Sequence, residues 1–133
     1  MDTANLVHAI IQSVHNFGAA LALGGPMFLL MLGPCDYEAK KALQIFLAAW
    51  VFQALTGSSF LGSTLLMYGQ LPEISKIAWF SMYLKISCVF TAISYCSWLL
   101  YRKTETLGKK EWVLLFDLAA VAQVAAATQR WYS

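Results

Sequence analysis

Charge is scarce in this chain of 133 residues: Asp, Glu, Lys and Arg make up only 12%, about half the share of an average soluble domain. Such poverty leaves too few polar side chains to coat helices in water. The net charge of +2 comes without any basic run interleaved with aromatics, which excludes an ordinary nucleic-acid surface. Cysteine is limited to Cys35, Cys88 and Cys96. An odd count with no CxxC pair gives no disulfide framework and no zinc-ribbon spacing; Cys88 and Cys96 sit in an apolar run and read as small buried hydrophobes. Proline occurs 3 times and histidine twice. No HExxH, phosphate loop, carboxylate dyad or nucleophile–base pair is visible, so no enzymatic activity is expected.

What is abundant is apolar sequence, 59% of the chain. Four runs, at about 5–32, 40–68, 74–101 and 111–131, are each long enough for a hydrocarbon core of about 30 Å. Turn chemistry separates them: Gly33-Pro34 in GPCDYEAKK, Gly69 and Pro72 in GQLPEISK, Gly108 in RKTETLGKK. Backbone polar groups find no water inside a bilayer, so the spans are helices, and short connections make an antiparallel up-down-up-down bundle. The expectation is one all-α, integral membrane four-helix domain, multi-pass, of an inner membrane. MDTAN carries no basic residue and no clear cleavage site follows, so residue 1 reads as the mature start. Lys40, Lys41, Arg102, Lys103, Lys109 and Lys110 lie in the first and third loops, against Lys76 and Arg130 in the termini and the second loop. This bias puts those loops in the cytoplasm and both termini outside. Trp79, Trp98, Trp112, Trp131, Tyr68, Tyr101 and Tyr132 fall near span ends as an aromatic belt; Trp50 does not.

Small residues would let helices approach closely: Gly18, Ala19, Ala22 and Gly25 in the first span, Gly57-Ser58-Ser59 and Gly62-Ser63 in the second, Ala119 to Ala127 in the fourth. Pro26 is expected to bend or loosen the first helix.

Polar groups within spans are costly and turn toward a bundle interior or wet cavity. Here they are His8, Gln12, His15, Asn16, Gln53, Lys85, Asp117, Gln123 and Gln129. At 1.5 Å per residue, His15, Lys85 and Gln123 lie within about 5 Å of the midplane on one side, with Gln53 and Thr56 close by. A shared polar layer is the expectation, with His15, Lys85, Gln53 and Gln123 as ligand-binding candidates. His8 and His15 share a helical face with Gln12 between them but stand about 10 Å apart, too far to hold one metal ion or one haem together. His8 also reads as an interfacial residue, and His15 as a hydrogen-bonded contact between helices. Lys85 lies far from either span end, so it points inward, toward Gln53, Gln123 or a bound anion. Asp117 is the obvious counter-charge, but the two Cα positions stand about 10 Å apart in height. Contact therefore needs the full lysine stem; the alternative is an Asp117 wetted near the cytoplasmic boundary. Imidazoles and thioethers suit Cu(I), which makes His8, His15, Met67 and Met82 metal candidates, although no MxxM or HxxM spacing occurs.

Three stretches resemble the membrane core of the copper-resistance protein D (CopD) family and its small four-helix relatives. HNFGAALALGGPMF (15–28) is similar to that family's histidine, small-residue and Gly-Gly helix. ALTGSSFLGSTLL (54–66) is similar to its Thr-Gly helix, and MYLKISCVFTA (82–92) to its helix with an internal Leu-Lys. The matching positions are His15, Gly24, Gly25, Thr56, Gly57 and Lys85. The resemblance implies copper handling at the outer membrane face, or a helper to a membrane metalloenzyme. The alternative is an accessory subunit of a larger respiratory or electron-transfer membrane complex, with a b-type haem or quinone near His15 and Lys85. Lipid, other membrane subunits or further copies of the chain are the expected partners. Gly25, Pro26, Gly57 and Asp117 are expected to serve structure.

Overall fold

Four helices follow one another in the chain: α1 (Thr3–Leu32), α2 (Ala39–Tyr68), α3 (Lys76–Tyr101) and α4 (Lys109–Tyr132). The structure is a computed structural model that describes residues 3–32, 39–69, 74–102 and 106–132. Met1, Cys35, Lys103 and the Gly33-Pro34 and Pro72 turns lie outside the described residues, as do the side chains of Met67 and Tyr68. The fold is an all-α four-helix bundle, as expected, and every boundary falls within two residues of the one read from the sequence.

Local chemistry explains where the described ends fall. Gly69 takes the left-handed conformation with φ of +69°, and its N–H donates to the Leu65 carbonyl at 2.9 Å, closing the last turn of α2 as only glycine does without strain. Ser75 caps α3: its hydroxyl accepts from the Ala78 N–H at 3.2 Å. Glu111 places an acid in the first turn of α4, where the helix dipole favours it.

Each helix packs on its two neighbours in a closed ring, α1–α2–α3–α4–α1, while the diagonal pairs stay apart. All four are long and apolar enough to cross a membrane. Their outer faces are greasy: Phe17, Phe28, Leu66, Phe80, Phe90 and Val124 are all exposed. An apolar exterior around a partly polar interior is stable in lipid and not in water, so the chain is a multi-pass membrane protein.

Two apolar clusters fill the half of the bundle nearer the ends where α1 stops and α4 begins. Ala22, Trp50, Cys88, Val89, Ala92, Ala119 and Ala122 form the first. Leu43, Phe46, Cys96, Leu99, Trp112 and Leu115 form the second, with Phe46 and Trp112 edge to face at 5.3 Å between centroids. Cys88 and Cys96 are thus buried hydrophobes, as expected. Trp112 departs from the belt reading: it is buried in the core, because α4 starts at Lys109 and its first turn already packs on α2. Trp50 is core too.

Glycine sets the approach of α1 to α2. A Cβ on Gly18 would stand 2.7 Å from Gln53 Nε2, and one on Gly25 would overlap the Phe46 ring. Ala119, Ala122 and Ala125 are buried as α4 turns its small face inward. Ser58, Ser59 and Gly62 depart from this pattern: they face outward, because the side of α2 that meets the bundle carries Gln53, Thr56 and Phe60 instead. Pro26 lies inside α1, which continues through it, with its ring buried.

Candidate intramembrane polar site

The polar layer is built from three helices. The side of α1 that carries Gln12 and His15 looks into the bundle, and His15 is buried. On α2, Gln53, Thr56 and Phe60 recur at helical spacing and share a face. Lys85 on α3 follows Ser81 by one turn, and Ser81 is itself buried. Measured from the helix midpoints, His15, Thr56 and Lys85 all lie about 4–5 Å toward the end where α1 begins, a common level that lets them meet.

They meet at the His15 ring. Its Nδ1 stands 2.7 Å from Thr56 Oγ1, and its Nε2 stands 3.2 Å from Lys85 Nζ. The Thr56 hydroxyl in turn donates to the Phe52 carbonyl at 2.8 Å. An ammonium only donates, so His15 Nε2 accepts from Lys85, Nδ1–H donates to Thr56, and the chain ends on the Phe52 carbonyl. Every step has one donor and one acceptor. Gln53 Nε2 donates to the backbone carbonyl of His15, which is possible only because Gly18 leaves the space. Gly57 lies beside the ring without being required there: a Cβ would make an ordinary contact, 3.9 Å from His15 Cε1.

Lys85 and His15 belong to diagonal helices whose backbones do not pack together. The lysine stem therefore crosses the bundle interior to reach the imidazole. Among the described residues Lys85 has no carboxylate beside it, and His15 is the partner of its ammonium. Among the described residues its other two N–H donors make no hydrogen bond. Asp117 does not stand beside Lys85 as a counter-charge: it is exposed, on a shallow surface groove with Lys109, Lys110, Val113 and Leu114, in line with the alternative reading. The reason is height, since Asp117 sits two turns from the start of α4, well below the level of Lys85.

Gln123 is half-buried on α4 at the level of the cluster and takes no part in these hydrogen bonds. His8 is half-buried and stacks on Phe60 at 6.0 Å between centroids. Phe60 meets His15 edge-on at 6.2 Å. Phe60 thus separates the two histidines, a role the sequence reading did not assign. Its spacing from Gln53 and Thr56 on one face of α2 was the available signal. Gln12 bonds Asn16 at 2.9 Å on its own helix.

The copper implied by the resemblance can be tested on the donors. Both ring nitrogens of His15 are engaged, one by a cation, and a second positive charge beside Lys85 would be repelled. His8 faces Phe60, and Met82 is half-buried without a described contact to either histidine. Among the described residues no group of three or more His, Cys, Asp or Glu gathers to hold a metal. Cu(I) at His15 would have to displace Thr56 or Lys85 from the ring, and the Met67 side chain lies outside the described residues. An axial haem bond to His15 would likewise break one of its two ring hydrogen bonds.

Fold and site together define the class: a multi-pass, all-α membrane bundle with an imidazole–ammonium pair inside it. No family model, curated protein or solved structure matches the chain.

Proposed function

We propose that this protein is a non-enzymatic subunit of a membrane electron-transfer complex, and that Lys85 beside His15 holds the carbonyl oxygen of a quinone-type ligand. The observation that carries the reading is the ammonium 3.2 Å from His15 Nε2 with no carboxylate beside it among the described residues. A cation in that setting is costly unless an acceptor approaches, and a quinone oxygen is an acceptor on an apolar body that reaches the bundle through lipid. His15 and Thr56 fix the direction of the lysine head. The apolar clusters close one half of the bundle, which leaves the half with His8, Gln12 and Phe60 as the approach.

Purification from the native membrane in mild detergent, followed by solvent extraction, tests this. The wild-type protein is expected to retain quinone near one per chain. Lys85→Met removes a charge-assisted hydrogen bond and is expected to lower retention about tenfold or more. Equal retention in wild type and variant, or none in wild type, would overturn the reading. One copper per chain, lost in His15→Ala, would replace it with the copper-handling reading; a Soret band would replace it with haem.

A further inference from the structure

A second feature lies on the outside of α3, away from the polar pair. Phe90, Thr91, Ser94, Tyr95 and Trp98 line a shallow groove on its exposed face, where Phe90 and Trp98 are 66% and 47% exposed. Tyr95 and Trp98 stack at 5.9 Å between centroids, and the Arg102 guanidinium lies over the Trp98 ring, 4.7 Å from its centre. From Phe90 to Trp98 the groove runs about 12 Å along the axis. Phe90 is near the midpoint of α3 and Arg102 follows its last residue. The groove therefore covers the depth of one leaflet, about 15 Å, and ends at a cation where headgroups lie.

We infer that this groove is a binding site for an anionic phospholipid, with one acyl chain along Phe90–Trp98 and the phosphate on Arg102. Stacking uses the face of the guanidinium and leaves its edge free, and that edge is what pairs with phosphate oxygens. Among the described residues Arg102 donates no side-chain hydrogen bond, and its recorded side-chain contact is the Trp98 face. Charge complementarity supports the choice of an anionic lipid: Lys40, Lys41, Lys109 and Lys110 crowd the same end of the bundle, and basic clusters at that level attract anionic headgroups. Those lysines supply a diffuse field. Arg102 on its aromatic platform supplies a fixed contact, and the two are separable by experiment.

The test is native mass spectrometry of the full chain in detergent, titrated with phosphatidylglycerol or phosphatidylcholine of the same acyl length. Phosphatidylglycerol is expected to bind about tenfold more tightly, the scale of one charge-assisted contact. Arg102→Gln should abolish the preference and Trp98→Leu weaken it, while a Lys109→Gln/Lys110→Gln variant keeps most of it. Inorganic phosphate should not compete, because the groove contributes through the acyl chain. Equal binding of the two lipids would overturn the proposal. So would a preference lost equally in the double-lysine variant, or displacement of the lipid by inorganic phosphate.

Discussion

Gly25→Ala is expected to lower the stability of the detergent-solubilised protein by about 1–3 kcal/mol, the usual cost of forcing atoms into a filled core. The added methyl would overlap the ring of Phe46. That ring cannot swing aside easily, because it is 4% exposed and holds Trp112 edge to face. Helix association in lipid draws on close packing rather than on escape from water, so pushing α1 away from α2 is not offset by any hydrophobic gain. Phe46→Ala alone should also destabilise, by about 2 kcal/mol for the cavity it leaves. The double variant is the informative one: with the ring gone the new methyl has room, and the two losses should fall well short of adding. Thermal unfolding of the four proteins in one detergent measures this. Strict additivity would mean that Gly25 and Phe46 do not touch.

The second large effect concerns the buried pair. His15→Ala strips Lys85 of the acceptor that the structure gives it and leaves an ammonium alone in the bundle, a change expected to cost about 3 kcal/mol. Lys85→Met should cost much less, since it removes the charge together with its desolvation penalty and keeps an unbranched apolar stem of similar reach. Combining Lys85→Met with His15→Ala should recover most of the loss. Asp117→Asn, by contrast, is expected to stay within about 0.5 kcal/mol, as surface changes do. A loss of several kcal/mol for Asp117→Asn, with His15→Ala near neutral, would restore the Lys85–Asp117 pairing that the sequence suggested.

Particular residues show what the sequence made legible. Length and apolar content located all four helices, because a bilayer demands continuous spans and leaves few alternatives. Depth counting placed His15, Thr56 and Lys85 at one level, since 1.5 Å per residue holds whatever the packing. Rotation about each axis was harder to read. Helices that are apolar on every side give little sign of which face turns inward, so Ser58, Ser59 and Gly62 were expected at a contact and face outward instead. The same ambiguity hid Phe60 and Ser81, and it let Gln123 pass for a member of the cluster. Asp117 suited Lys85 by charge, yet the residue count already sets the two about 10 Å apart in height, and Asp117 is exposed. Trp112 was assigned by its place near a span end, although the first turn of α4 is already packed.

Nitrogen NMR of the ring of His15 in bilayers, with Lys85 labelled at Nζ, addresses the central claim most directly. The expected result is an imidazole protonated at Nδ1 and unprotonated at Nε2, with a through-space correlation from Nε2 to the lysine nitrogen. A ring protonated at Nε2, or no correlation with Lys85, would contradict the account.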